Sequence, residues 1–141
     1  MLATLAALVV GMMALAGTAW AVPDGIPPTV VGTVPTDGAT DVALDAKIKV
    51  KFSERMKDRS INRNNIFITQ VVDGMTMGFP AKVDYVDEKT PVRAVLKPLG
   101  LLHPDTTYTV VVAGANAPLG SVKDASGEAL KETYHFSFTT A

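Results

Sequence analysis

Lys47-Ile48-Lys49-Val50-Lys51-Phe52 alternates strictly between charged and apolar side chains. Successive side chains of a strand point to opposite faces, so Ile48, Val50 and Phe52 share one side and three lysines the other. Short runs of the same kind follow at Ile66–Val72, Ala81–Val86, Val92–Lys97, Tyr108–Ala113 and Tyr134–Thr139, and Thr29–Val34 supplies a first, edge strand behind Pro27-Pro28. Turn-forming clusters separate them: Pro35-Thr36-Asp37-Gly38, Asp73-Gly74, Lys97-Pro98 and Ser126-Gly127. About seven short antiparallel strands predict an all-β, immunoglobulin-like two-sheet sandwich. Parity assigns its core to Ile48, Val50, Phe52, Ile66, Ile68, Val83, Tyr85, Ala94, Leu96, Tyr108, Val110, Val112, Tyr134, Phe136 and Phe138. One helical turn is expected within Glu54–Ile61, and Gly114–Lys131 reads as a long loop before the last strand.

Composition is uneven along the 141 residues. The first 21 carry no charge and 17 of them are apolar, against roughly 42% apolar in the rest, an ordinary value for a globular domain. That leading segment ends in Ala19-Trp20-Ala21, the small-x-small pattern of a signal-peptidase site, and Val22-Pro23-Asp24-Gly25 then breaks any helix. No Lys or Arg precedes the apolar core, which leaves a truncated N-terminus, a misassigned start or a weak leader open. The alternative to cleavage is a membrane anchor, since about 20 apolar residues span a bilayer. Either way the body is exported, to the periplasm, the cell surface or the medium. The expected organisation is a signal peptide or uncleaved anchor over 1–21, a short linker over 22–28 and the sandwich over 29–141.

Absences narrow the chemistry. Without cysteine there are no disulfides, thiolate metal sites or cysteine nucleophiles, and an exported body without disulfides suits a bacterial envelope. A net charge of −1 lacks the basic excess that nucleic acid demands. The only tryptophan, Trp20, lies in the leader.

Several stretches resemble the bacterial Ig-like domains of the surface-layer (SbsA) type. Val34-Pro35-Thr36-Asp37-Gly38-Ala39-Thr40-Asp41-Val42, running on to Ile48-Lys49-Val50-Lys51-Phe52-Ser53-Glu54-Arg55-Met56, is similar to that family's opening. Leu96-Lys97-Pro98 with Leu102-His103-Pro104-Asp105-Thr106-Thr107-Tyr108-Thr109-Val110 resembles its middle. Asp124-Ala125-Ser126-Gly127-Glu128-Ala129-Leu130 and Tyr134-His135-Phe136-Ser137-Phe138-Thr139-Thr140 resemble its close. The likeness spans about Pro27 to Ala141 and implies a non-enzymatic structural, adhesive or interaction module of the cell envelope, with no catalytic residue and no cofactor to transfer. Its partner would be an envelope polymer or another surface protein, with the chain a monomer or part of a larger one. Contact with a membrane is expected only through the N-terminal segment. Pro104 ahead of Tyr108 is similar to a tyrosine corner, in which a phenol bonds back to nearby backbone.

Four groups of residues are weighed for chemistry. His135 and Ser137 share an outward strand face, but no nucleophile elbow accompanies them, and His103 precedes a turn proline; all three read as solvated residues. The alternative function is a periplasmic copper carrier, because copper-resistance proteins of the C type are also small exported sandwiches. Here only Met75-x-Met77 offers soft ligands, and both methionines equally suit a hairpin. Asp37, Asp41 and Asp45, and separately Asp124 and Glu128, offer oxygens for calcium, but without EF-hand spacing they read as turn residues. The most specific surface feature is a basic stretch from Lys47 to Arg63. Seven basic residues there face two acidic ones, a net +5 that leaves −6 for the rest. Lys47, Lys49, Lys51, Arg55 and Lys57 are the candidate contacts for an anionic partner. The plainer reading is a solvated face whose lysines discourage edge-to-edge pairing.

Overall fold

The structure is a computed structural model and describes residues 25–88 and 92–141. The leader and the first three residues of the proposed linker therefore lie outside the described residues. Within them run nine strands: β1 (Val30–Val34), β2 (Ala39–Val42), β3 (Ile48–Phe52), β4 (Ile66–Val72), β5 (Met75–Phe79), β6 (Ala81–Val86), β7 (Arg93–Pro98), β8 (Thr107–Val112) and β9 (Tyr134–Thr140). They form a four-stranded sheet, β1-β3-β7-β6, and a five-stranded sheet, β2-β9-β8-β4-β5. This is the all-β two-sheet sandwich that the alternation predicts.

Two short strands bring the total to nine rather than about seven. β5 is the return arm of a two-residue hairpin in which Asp73 and Gly74 both take positive φ, 51° and 78°. That geometry matches the twist of the strands it joins, which is why Asp-Gly is favoured there. β2 runs parallel to β9, so the pairing is not wholly antiparallel. The Asp37-Gly38 turn locks it in place: the Ser137 N–H donates to Asp37 Oδ1 at 2.9 Å, and the Gly38 N–H donates to the Ser137 carbonyl at 2.7 Å. The N-terminal chain thus supplies one edge to each sheet.

The core follows parity. Of the fifteen side chains assigned inward, Val83, Tyr85 and Tyr134 are half-buried against it, and the rest are buried. Tyr108 stacks on Phe138 with ring centroids 5.7 Å apart, and Phe79 meets Tyr108 edge-on at 5.6 Å. Burying each such side chain contributes about 1.5–3 kcal/mol. Met56, Ile61, Leu102, Val122 and Leu130 complete the core from segments that connect the strands. The helical turn is present as a single 3-10 turn at Asp58–Ser60. The long stretch 114–131 is pinned by bridges from Met56 to Asp124 and from Lys123 to Ala129. Tyr85 ties the same region down, its phenol oxygen accepting the Met56 N–H at 2.7 Å.

Candidate functional site

The five basic candidates fall into three environments. Lys49 and Lys51 lie on the outward face of β3, and Lys47 is exposed just before it. Because β3 sits between β1 and β7, these lysines guard no sheet edge, and the expectation that they discourage edge pairing is corrected. Across the register they are flanked by outward residues of β7 and β6. Lys49 lies opposite Val95 and Asp84 in turn, Lys51 opposite Arg93 and Val86, and Lys97 opposite Lys82. The outer face of this sheet therefore carries Lys49, Lys51, Lys82, Arg93 and Lys97 around Asp84. Asp84 bonds Lys97 at 2.8 Å and Lys82 at 3.3 Å. The Lys97 ammonium, more than Lys82, holds the Asp84 carboxyl below its ordinary pKa against a partial desolvation that pushes the other way.

Arg55 is neutralised. Its Nη2 lies 2.7 Å from Asp87 Oδ2, and its Nε donates to the same oxygen at 3.0 Å. Lys57 lies elsewhere again, in a groove of about 460 Å³ that it shares with Arg59 and Lys123. Arg59 lay within the charged stretch read from the sequence, whereas Lys123 had no local signal at all.

The opposite sheet presents a face dominated by hydroxyl and apolar side chains. Thr69, Thr109 and Ser137 form one cross-strand row of hydroxyls, with the Ser137 hydroxyl bonded to Thr109 Oγ1 at 2.9 Å. Phe67, Val111 and His135 form the next row, and a shallow depression of about 720 Å³ runs over this face. Ser137 is thus engaged with threonine rather than with a base. The His103 N–H donates to the Tyr108 phenol oxygen at 2.8 Å, and its ring Nδ1 lies 3.2 Å from Gln70 Oε1.

The remaining candidates are dispersed. Met75 and Met77 are 64% and 49% exposed on β5, where Met77 pairs with Gln70. Asp37 is engaged by Ser137, and Asp124 is buried, its Oδ1 accepting from Ser126 Oγ and the Glu128 N–H, both at 2.8 Å. Among the described residues no three His, Cys, Asp or Glu side chains come together as a metal site.

Comparison with known proteins agrees with this architecture. A family model described as "Bacterial Ig-like domain" matches residues 24–140. Among solved structures, the chain is similar to the N-terminal part of the bacterial S-layer protein SbsC, at 22% identity and a TM-score of 0.56. The alignment covers 82% of this chain and 24% of that one, so the chain spans about a quarter of the S-layer structure. It is also similar to PcoC, a methionine-rich copper resistance protein from Escherichia coli, at 22% identity and a TM-score of 0.56, covering 82% of this chain and 100% of that one. CopC from Methylosinus trichosporium OB3b aligns at 15% identity and a TM-score of 0.53, covering 80% and 92%. At these identities the likeness establishes the fold. No curated protein matches the sequence.

Proposed function

The chain belongs to the bacterial Ig-like domain family, and on that premise we propose that it is a non-enzymatic, exported module that docks on an anionic partner in the cell envelope. The observation that carries this reading is the outer face of the four-stranded sheet, where Lys49, Lys51, Lys82, Arg93 and Lys97 surround Asp84 on rigid strands. Such a field steers and orients an acidic polymer or protein surface without a deep pocket. The resemblance to the surface-layer (SbsA) type supports a structural or adhesive setting. In this reading residues 1–21 are the export signal or anchor, 22–28 a linker and 29–141 the module. The basic contacts are Lys49 and Lys51 on the sheet, Lys47 just before β3 and Lys57 beyond it, with Arg55 held by Asp87. Charge reversal at Lys47, Lys49 and Lys51 should release the protein from isolated envelope material; unchanged retention would overturn the reading.

A second reading is copper carriage. It is favoured by Met75 and Met77, which alternate on one face of the exposed strand β5, with Met77 paired to the Gln70 that bonds His103. Two thioethers suit soft Cu(I). Titration of the exported chain with Cu(I) tests this, and loss of binding in Met75→Leu/Met77→Leu would support it. No binding tighter than about micromolar would remove it.

A further inference from the structure

We propose that the groove holding Lys57, Arg59 and Lys123 is a binding site for a phosphate-class oxyanion. The inference rests on the reading that this module docks on an anionic partner, and adds to the sheet face a second, localised contact. Lys57 and Lys123 flank the antiparallel bridge between Met56 and Asp124, so they stand directly opposite each other, with the Lys57 N–H donating to the Lys123 carbonyl at 2.8 Å. Like charges directly opposite across paired strands are destabilising.

Buried polar side chains tie down the backbone beneath them. The buried Ser60 hydroxyl lies 2.7 Å from the Lys57 carbonyl and 3.1 Å from the Lys123 carbonyl, and accepts the Lys123 N–H at 2.9 Å. Asn65, also buried, donates to the carbonyls of Ser60 and Ser121 at 2.9 and 3.2 Å. No carboxylate lines the groove. Asp58, between Lys57 and Arg59 in sequence, instead adds to the forces that oppose ionisation of the Tyr85 phenol.

Three cations lining one groove match the charge of a phosphate group better than that of a single carboxylate. The groove is lined by no aromatic side chain, so it would hold phosphate without stacking a base. An anion seated there would offset the like charge that the bridge register sets side by side.

The exported chain can be titrated separately with inorganic phosphate, sodium polyphosphate and phosphatidylglycerol vesicles. Saturable, salt-sensitive binding is expected in at least one arm, and the arm that binds tightest identifies the source as free, polymeric or lipid-borne. The triple variant Lys57→Gln/Arg59→Gln/Lys123→Gln should weaken it about tenfold or more. Arg63→Gln/Lys131→Gln, which removes exposed charge outside both the groove and the sheet face, should stay within about twofold. Equal loss in both variants, no loss in the groove variant, or no saturable binding in any arm would overturn the assignment. Retention on envelope material, compared between the groove variant and the sheet-face charge reversal of Lys47, Lys49 and Lys51, separates this from the broader reading. Loss of retention only in the sheet-face variant leaves docking standing without the groove. Unchanged retention in both variants, with phosphate binding lost in the groove variant, leaves the groove standing without docking.

Discussion

The phenol oxygen of Tyr108 accepts a hydrogen bond from the backbone N–H of His103, 2.8 Å away across the turn through Pro104. Tyr108 itself is fully buried, its ring stacked on Phe138. The resemblance to a tyrosine corner therefore describes a physical tie. Tyr108→Phe keeps the ring and loses the tie, and should destabilise the domain by about 1–2 kcal/mol in urea denaturation. An unchanged midpoint would show that water substitutes for the phenol.

Gly114 is enforced by space. A methyl group there would overlap the backbone of Glu132 and lie 2.5 Å from the Thr133 nitrogen. These atoms belong to the segment entering β9, so the strain would fall where β9 begins to pair with β8. Gly114→Ala should cost about 3 kcal/mol or more. Gly100→Ala, with nothing within 4 Å of the added carbon, should leave the thermal midpoint close to wild type.

Asp124 closes the turn that positions Lys123. Its side chain is fully buried, and Oδ1 holds both Ser126 Oγ and the Glu128 N–H. Asp124→Ala should destabilise by roughly 2–3 kcal/mol. Asp124→Asn keeps an acceptor at Oδ1 and should cost less. Because the bridge to Met56 runs through this residue, the alanine variant should also weaken any anion bound at Lys57 and Lys123.

Asp84 tests the basic face through pH. Its carboxyl pKa is lowered chiefly by Lys97, so the stabilisation is present above the ordinary carboxyl pKa of 3.8 and fades as pH falls through the lowered value. In an NMR titration, Lys97→Gln should move the Asp84 carboxyl back up towards 3.8, and Lys82→Gln should do so less. Asp84→Asn removes the only carboxylate among the outward strand residues paired here and should strengthen retention on anionic material.

Much of the fold was legible because the strands declare themselves locally. Ile48, Val50 and Phe52 point inward wherever β3 sits in the sheet, and Asp73-Gly74 marks its hairpin without reference to the rest of the chain. Met56, Ile61, Leu102, Val122 and Leu130 were not legible, because irregular segments have no period to read. The candidate site was only half legible. Lys49 and Lys51 sit outward as alternation requires, yet the same charged stretch also contains Arg55, cancelled by Asp87, and Lys57, opposite Lys123 across a bridge.

Within the strands, alternation alone settles which side chains face the core and which face solvent, because successive residues of a strand point to opposite faces. Tertiary structure alone decided that β3 is an inner strand and that Lys57 meets Lys123 across a bridge. The reason is that electrostatic interaction depends on distance through space. A run of like charges becomes a sheet face, a cancelled pair and a groove only once the distant segments that surround it are in place.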